Sequence, residues 1–311
     1  MGKWKVRAFV LVFLLAMGTV LAACSSEAIE EENGKIKAVS TIGMIGDVVS
    51  NIGGEHVESV SLMKPGIDPH LYKATQGDMK KLENAEIIFY NGLHLEGQMI
   101  KIFERMEKSK PTVAVTQNVS TDRLLAGDGE STEYDPHLWF NVEYWIESAK
   151  VIRDELIEID EENKADYEKN AEEYITRMKE LNQYVKQKIE TIPEDNRVLV
   201  TAHDAFGYFG DAYGIEVMGL QGISTESEVG SKDVSELRDF LVENKIKAVF
   251  VESSVPKDTI EAVIEGAKEL GHEVTIGGEL FSDAMGDEGT EEGTYLGMVR
   301  HNVDTIVEAL K

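Results

Sequence analysis

Two copies of the tetrapeptide Asp-Pro-His-Leu are the first feature of this sequence that could carry chemistry. They span residues 68–71 and 135–138 of a 311-residue chain that contains only 7 histidines. Proline fixes its own φ near about −65° and pushes the preceding residue towards extended backbone, so a stiff segment presents each histidine. Such a segment suits a ligand-binding side chain. It is also typical of a helix start, with Asp as N-cap and Pro at the first helical position.

Two more polar groups stand at comparable positions in the second half of the chain. His203 ends the stretch VLVTAH, and Asp283 follows the last predicted strand, just as His70 and His137 follow predicted strands in the first half. Open α/β sheets bind ligands where their strands end. Three imidazoles and one carboxylate make a candidate first shell for Zn²⁺ or Mn²⁺. The ligands are 67, 66 and 80 residues apart, so no local motif selects this set.

The elements that must position these groups follow a βαβ rhythm. Helical patterns alternate with β-rich runs, which indicates α/β lobes with mostly parallel sheets. We expect an N-terminal α/β lobe over residues 35–160 and a C-terminal α/β lobe over residues 193–311. The predicted strands are KIKAVST, HVESVSLM, AEIIFYNG, TVAVTQ, RVLVTAH, IEVMGL, IKAVFVE and HEVTIGG, and the predicted helices cover residues 44–52, 76–84, 96–108, 232–244, 259–270 and 294–310.

A stretch of about fifty residues without Gly or Pro separates the two sets of strands. Its second half, residues 161–192, is predicted to be one long backbone helix that joins the lobes. Apolar residues recur there at spacings of three and four and form one stripe that can lie along both lobes. A coiled-coil dimer would use Leu or Ile rather than Tyr, so we expect a monomer. The stripe consists of Tyr167, Ala171, Tyr174, Met178, Leu181, Val185 and Ile189.

The N-terminus reads as a secretory signal. Lys3, Lys5 and Arg7 precede an apolar run from Ala8 to Leu21, which is shorter than the roughly 20 residues of a membrane span. The run ends in Leu-Ala-Ala-Cys, which resembles a bacterial lipobox. We therefore predict a lipoprotein signal peptide over residues 1–23, lipidation of Cys24, and a flexible polar tether over residues 24–34.

Charge and cysteine content exclude several classes of function. Loss of the signal would take the net charge from −27 to −30, and such an acidic chain repels nucleic acid and anionic lipid headgroups. Membrane contact is therefore expected through the lipid alone. Cys24 is the only cysteine, which excludes intramolecular disulfides, thiolate metal sites and Cys-based redox chemistry.

Longer motifs carry a resemblance over essentially the whole chain. They are GIDPHLYKATQGD, YNGLHLEG, DPHLWFNV, VTAHDAFGYFGDAYGIEV, QGISTESEVG and ELFSDAMGDEGTEEGTYLGMVRHNVDTI. With the lipobox, these segments resemble the metal-binding lipoproteins of bacterial ABC importers, the TroA/MntA-like manganese and zinc receptors. The resemblance implies two α/β lobes joined by a long helix, with one metal ion in the cleft. It also implies His70 and His137 as first-lobe ligands and His203 and Asp283 as second-lobe ligands.

The resemblance further implies a function and partners. The chain would be an extracytoplasmic receptor, lipid-anchored to the outer face of the cytoplasmic membrane. It would deliver its metal to a membrane permease driven by a cytoplasmic ATPase. Manganese is favoured because residues 120–135 lack the His-rich insertion of many zinc-specific relatives, although His203 stands where manganese-devoted members often carry Glu. A zinc-specific receptor and a surface adhesin with a structural metal are the alternatives.

A metallohydrolase is the competing class, since three His around zinc with water in the fourth position describes a hydrolytic site. Here Asp283 would fill that position, and the sequence has no H-E-x-x-H, nucleophile elbow or phosphate-cradling Gly loop. We therefore expect no enzymatic activity. Glu226 and Glu252 are candidates to orient an imidazole through its other nitrogen. The remaining histidines, His56, His94, His272 and His301, are interpreted as structural or exposed.

Overall fold

The computed structural model describes residues 34–129 and 132–311. The predicted signal peptide, Cys24 and all of the predicted tether except Gly34 lie outside the described residues. Residues Ile36–Lys311 form one compact unit. No helix among the described residues is both long enough and apolar enough to cross a bilayer.

The first half of the chain forms a four-stranded, wholly parallel sheet in the order β2-β1-β3-β4. Parallel neighbours need crossover connections, and helices supply them here. The two central strands carry buried apolar residues, Ala38 and Val39 on β1 and Ile87, Ile88 and Phe89 on β3. The elements are β1 (Ile36–Ser40), α1 (Gly43–Gly53), β2 (Val57–Ser61), α2 (Gln76–Asn84), β3 (Ile87–Tyr90), α3 (Ile100–Met106) and β4 (Thr112–Ala114).

Helix α3 is shorter than the helix predicted over residues 96–108. A 3₁₀ turn, Gly97–Met99, precedes it, because Glu96 turns inward instead of starting the helix. The Glu96 carboxylate is buried and accepts hydrogen bonds from the Thr41 hydroxyl at 2.6 Å and the Asn91 backbone N–H at 2.7 Å. The loop before it contains a residue at positive φ, His94, at 69°. One of the contacts that delay the start of the helix therefore comes from Thr41, directly after β1 and 55 positions away in sequence.

Two helices form the middle of the molecule, α4 (Val142–Ile159) and α5 (Lys164–Ile189). At 1.5 Å per residue, the 26 residues of α5 span about 39 Å. All seven residues of the predicted apolar stripe on α5 are buried. This face packs against α4, α1 and the C-terminal helix α9 (Tyr295–Leu310), so α5 contacts elements from both halves of the chain.

The second half repeats the parallel arrangement in two pairs of strands. β5 pairs with β6 and β7 pairs with β8, while β5 and β7 lie side by side. The predicted mixed fold with parallel sheets and a long central helix is therefore confirmed. The predicted lobe boundaries stay predictions. The elements are β5 (Val198–His203), α6 (Gly207–Tyr213), β6 (Glu216–Gln221), α7 (Ser231–Glu243), β7 (Ala248–Glu252), α8 (Asp258–Glu269), β8 (Thr275–Leu280) and α9.

Candidate metal centre

His70 lies in a turn that follows β2. The carboxylate of Asp68 accepts the backbone N–H of His70 through Oδ1 at 2.8 Å. The other carboxylate oxygen, Oδ2, accepts the hydroxyl of Thr225 at 2.6 Å, from the loop after β6. The His70 ring is 1% exposed, and its Nδ1 has no hydrogen-bond partner among the described residues. Its position is therefore set through the backbone.

His137 repeats this backbone geometry in the second Asp-Pro-His-Leu segment. Oδ1 of Asp135 accepts both the backbone N–H of His137 at 2.9 Å and its ring Nδ1–H at 2.7 Å. The Asn91 side chain donates to the Pro136 carbonyl at 2.9 Å, which fixes the segment against the end of β3. A 3₁₀ turn, Leu138–Phe140, begins directly after His137, and no α-helix starts in either segment. In both copies, the aspartate holds the backbone of the histidine two residues later.

His203 is the last residue of β5, and Glu252 is the last residue of β7, the neighbouring strand. Oε2 of Glu252 accepts Nδ1–H of the His203 ring at 2.5 Å, and Oε1 accepts the His203 backbone N–H at 2.7 Å. Both groups are buried. Parallel strands bring their carboxyl ends to one edge, which explains why residues 49 positions apart meet here.

Asp283 lies three residues beyond β8, in a segment fixed on two sides. Asn302 of α9 accepts the backbone N–H of Phe281 at 2.9 Å and donates to its carbonyl at 2.7 Å. The indole N–H of Trp139 donates to the Ser282 carbonyl at 3.1 Å. Because Trp139 follows His137 by two residues, this contact joins the segments of two candidate ligands.

The four predicted ligands converge in one buried cluster. Their ligand atoms all lie within 4.8 Å of one another, and each residue is at most 1% exposed. Nε2 of His70 lies 3.4 Å from Nε2 of His137 and 3.4 Å from Oδ2 of Asp283. Asp283 also lies 3.3 Å from Nε2 of His137 through Oδ1 and 3.5 Å from Nε2 of His203 through Oδ2.

These separations have the size expected of a metal coordination shell. Ligands on a tetrahedral ion with bonds of about 2.0–2.1 Å are about 3.3–3.4 Å apart, which is the edge of that tetrahedron. Nε2 of His203 and both oxygens of Asp283 are buried without a hydrogen-bond partner among the described residues. A carboxylate buried in this way is costly unless a cation or a donor compensates it. The residues present therefore fit a divalent cation bound through one or both Asp283 oxygens.

The electrostatics of the cluster favour positive charge at its centre. Burial alone would lower the pKa of His137, but the negative charges of Asp283 and Asp135 outweigh it and raise the pKa to about 10. Burial likewise opposes the charged form of His203, and Glu252 and Asp283 raise its pKa to about 9. Burial would raise the pKa of Asp283, but His203 and His137 hold it well below its usual range. The same field attracts a metal ion.

Comparison with known proteins identifies the family. The family described as zinc-uptake complex component A, periplasmic (ZnuA), matches residues 38–309. The manganese-binding lipoprotein MntA of Bacillus subtilis is 48% identical over 292 residues, which cover 94% of this chain and 95% of MntA. The zinc-binding protein TroA of Treponema pallidum is 46% identical over 310 residues, covering 100% of this chain and 99% of TroA.

This chain belongs to the ZnuA family.

Solved structures give the same result as the sequences. The periplasmic zinc-binding protein TroA of Treponema pallidum superposes with a TM-score of 0.87 at 48% identity, over 89% of this chain and 99% of TroA. A manganese-bound periplasmic metal-binding protein of Candidatus Liberibacter asiaticus superposes with a TM-score of 0.78 at 26% identity, over 89% of this chain and all of the other. ZnuA-family proteins are substrate-binding proteins, and the TroA-type architecture has two lobes.

The two glutamates predicted to orient an imidazole differ in their surroundings in this ZnuA-family chain. Glu252 lies against the second ring nitrogen of His203. Glu226 instead accepts a hydrogen bond from the Gln98 amide at 2.6 Å, in an exposed position. Glu252 can therefore act on a ligand directly, whereas Glu226 connects loops from the two halves of the chain.

Three of the remaining histidines of this ZnuA-family member have partners outside the cluster. His56 pairs with Asp166 of α5 at 2.9 Å through Nε2. Nε2 of His272 lies 2.6 Å from the Ile246 carbonyl, and Nε2 of His301 lies 3.0 Å from the Glu279 carbonyl. Among the described residues, the one group of His, Cys, Asp and Glu side chains with metal-ligand spacing is the cluster around His70.

Sequence reasoning did not assign roles to several residues that hold the ZnuA-family site in place. Asp135 and Asp68 were each visible as the first letter of the repeated tetrapeptide, so their common position two residues before a histidine was an available signal. Thr225 had no such signal, since 157 positions separate it from Asp68. Trp139 likewise contacts Ser282 across 143 positions.

Proposed function

We propose that this chain is the extracytoplasmic receptor of an ABC importer that captures one divalent transition-metal ion and delivers it to a membrane permease. Its ligands are His70, His137, His203 and Asp283. A cytoplasmic ATPase drives the permease. The metal is cargo: it is bound, carried and released without chemical change.

One observation carries this proposal. Three imidazole nitrogens and a carboxylate from four separate chain segments lie within 4.8 Å of one another and are almost completely shielded from solvent. Asp135 and Glu252 orient two of those imidazoles through Nδ1, so that Nε2 points into the cluster. A carboxylate bonded to the ring nitrogen that does not face the metal is typical of imidazoles that bind metal.

We propose manganese as the physiological ion, with zinc as the alternative cargo. Two features support manganese: the 48% identical relative from Bacillus subtilis is named a manganese-binding lipoprotein, and residues 120–135 contain no histidine. The 46% identical relative from Treponema pallidum is named a zinc-binding protein, and three imidazoles suit zinc well. Zinc is therefore expected to bind the isolated protein at least as tightly as manganese, whichever ion is imported.

We also propose that Cys24 carries the lipid that anchors the mature chain to the outer face of the cytoplasmic membrane. The proposal rests on the Leu-Ala-Ala-Cys sequence after an apolar run. Relatives from Bacillus subtilis and Streptococcus sanguinis are named lipoproteins. A lipid anchor would keep the receptor next to its permease.

A transport role is proposed rather than a hydrolytic one because the shell is closed. A catalytic zinc site keeps a position open for water. Here Asp283 contributes a fourth protein ligand and can use both of its oxygens, which leaves little room for a reacting water. Surface attachment to host molecules has no feature in the described residues that favours it over metal capture.

Metal content and uptake test this proposal. Protein purified without chelator should contain one equivalent of manganese or zinc by mass spectrometry, and the Asp283→Ala variant should contain less than about a tenth of that amount. Cells that lack the receptor should regain uptake of radioactive manganese when they express the wild type but not Asp283→Ala. Ester and phosphoester hydrolysis by the zinc-loaded protein should stay at background. Metal-dependent turnover of either substrate would contradict the transport role.

A further inference from the structure

The three imidazoles of the cluster are not held in the same way. The ring of His137 donates Nδ1–H to the carboxylate of Asp135 at 2.7 Å. The ring of His203 donates Nδ1–H to the carboxylate of Glu252 at 2.5 Å. Nδ1 of His70 is buried and has no partner among the described residues. Among the described residues no carboxylate holds this ring through Nδ1, so the position of His70 depends on its backbone.

That backbone depends in turn on a residue from the other half of the chain. Asp68 accepts the His70 N–H with one oxygen and the Thr225 hydroxyl with the other, at 2.8 Å and 2.6 Å. Thr225 is 7% exposed and Asp68 is half-buried, so this hydrogen bond is partly shielded from water. A hydrogen bond to a carboxylate in such a place is among the stronger kinds.

Thr225 is itself held in position within its loop. The side-chain amide of Gln221, the last residue of β6, donates to the carbonyl of Thr225 at 2.8 Å and to that of Ser227 at 2.7 Å. The loop is therefore fixed to the second sheet region before it meets Asp68. Thr225 thus links β6 to the segment that carries His70.

We infer that Thr225 is a positioning residue for His70, acting through Asp68, and that this contact slows release of the bound metal. The inference deepens the proposed function and rests on it. When the two halves of the chain meet, the Thr225 hydroxyl satisfies the outer oxygen of Asp68 and fixes the turn that presents His70. When they separate, Asp68 loses that donor, and His70 is the candidate ligand whose Nδ1 no side chain holds among the described residues. His70 is then the first ligand to leave.

The rate of metal release measures this contact. The full mature chain is loaded with one equivalent of Zn²⁺ and mixed with saturating chelator in a stopped-flow instrument. We expect Thr225→Val to release zinc about tenfold faster than the wild type, because it loses one hydrogen bond to a charged acceptor. Thr225→Ser keeps the hydroxyl and should stay within about twofold of the wild type. Thr225→Ala serves in place of Thr225→Val if the valine does not fit.

Two controls separate positioning of His70 from a general weakening of the closed form. Gln98→Met removes the neighbouring bridge to Glu226, which is exposed and touches no ligand segment, and should change release less than about twofold. The second control repeats Thr225→Val in an Asp68→Ala background, which keeps all four candidate ligands. If Thr225 acts on His70 through Asp68, the substitution should have no further effect there, whereas an effect of Thr225 that bypasses Asp68 would accelerate release in both backgrounds.

Each outcome either supports or overturns the inference about Thr225. Unchanged release from both Thr225→Val and Thr225→Ala, while the wild type binds one zinc, overturns the inference and leaves the proposed function intact. An equal acceleration in the wild-type and Asp68→Ala backgrounds also overturns it. A wild type that binds no metal overturns the proposed function and the inference together. Fast release from Thr225→Val, with rescue by Thr225→Ser and no further effect in the absence of the Asp68 carboxylate, supports it.

Discussion

Both carboxylate oxygens of Glu252 are bonded to the same residue, His203: one accepts its ring Nδ1–H at 2.5 Å and the other accepts its backbone N–H at 2.7 Å. The carboxylate therefore fixes the ring orientation and the tautomer at once. With the proton held on Nδ1, the lone pair of Nε2 is free to face the cluster.

This relationship predicts unequal effects for two conservative substitutions. In Glu252→Gln the amide oxygen can take the backbone N–H, and the NH₂ group then faces Nδ1, which forces the ring proton onto Nε2. In Asp135→Asn one oxygen accepts both bonds from His137, and an amide oxygen can still do so. Glu252→Gln should weaken zinc binding by about 10- to 100-fold, and Asp135→Asn by clearly less. Competition titration against a zinc indicator gives both values, and equal losses would contradict the tautomer argument.

Metal binding should stabilise the folded chain, and ligand variants should lose that effect. Binding to the folded form alone adds about 4 kcal/mol when the free metal is a thousandfold above Kd. His70→Ala and Asp283→Ala should each lose most of the resulting increase in melting temperature. His56→Ala is the matched control, since it removes an imidazole from an exposed ion pair with Asp166. Thermal melts with and without zinc check this, and a variant that keeps the full increase has not lost a ligand.

The third candidate ligand, His203, should influence which metal is preferred. His203→Glu replaces a neutral nitrogen with a harder, anionic oxygen, and manganese gains more from oxygen ligands than zinc does. The ratio of manganese to zinc affinity should therefore rise relative to the wild type, even though zinc stays the tighter ion. Parallel titrations of both metals against both proteins give the ratio. If it does not change, His203 does not contact the metal.

Asp78 should make the free energy of unfolding depend on pH in the acid range. Burial opposes its charge, but hydrogen bonds from Thr75 and Tyr72 outweigh burial and lower its pKa from 3.8 to about 2. A lowered pKa stabilises the fold above the unfolded value of 3.8, and the gain fades as the pH falls towards 2. The free energy of unfolding of the metal-free wild type should therefore exceed that of Asp78→Asn. This excess should be about 1 kcal/mol smaller at pH 3 than at pH 7. Urea denaturation measures both, with Asp195→Asn as the matched substitution at an exposed position.

The proposed lipid anchor would depend on one atom, the sulfur of Cys24. Cys24→Ser should leave an uncleaved or shed protein, because no other thiol in the chain can accept lipid. Membrane fractionation with lipid labelling checks this, and Asp195→Asn again serves as the matched control. Continued lipid labelling of Cys24→Ser would show that the lipobox interpretation is wrong.

Local patterns were sufficient for most elements of the fold. The helix predicted over residues 76–84 coincides with α2, where Thr75 and Asp78 form a capping box. Each predicted strand overlaps an observed one, because short apolar runs between helices leave few alternatives. The four candidate ligands were proposed from their places after predicted strands and from the resemblance to known metal receptors, since their spacing alone selects no set.

The helix α4 shows where local patterns fail. Only the second half of the long Gly- and Pro-free stretch was assigned, although buried residues recur at helical spacing along α4 as well. The break between α4 and α5 is made by a side chain: Asp160 accepts hydrogen bonds from Asn163 and from the Tyr167 hydroxyl, both at 2.7 Å. The break contains no Gly or Pro that would indicate it in the sequence. Contacts across the fold, such as Thr225 with Asp68, are equally absent from local sequence.

The burial of the four candidate ligands has a kinetic consequence. Each is at most 1% exposed, so no competing chelator can reach the ion while the chain is in this form. Loss of cargo must then wait for the protein to open, and raising the chelator concentration should speed release only up to a plateau equal to the opening rate. The residence time of a bound ion would therefore depend on how often the protein opens. On the proposed function, an encounter with the permease would empty the receptor only by opening the protein.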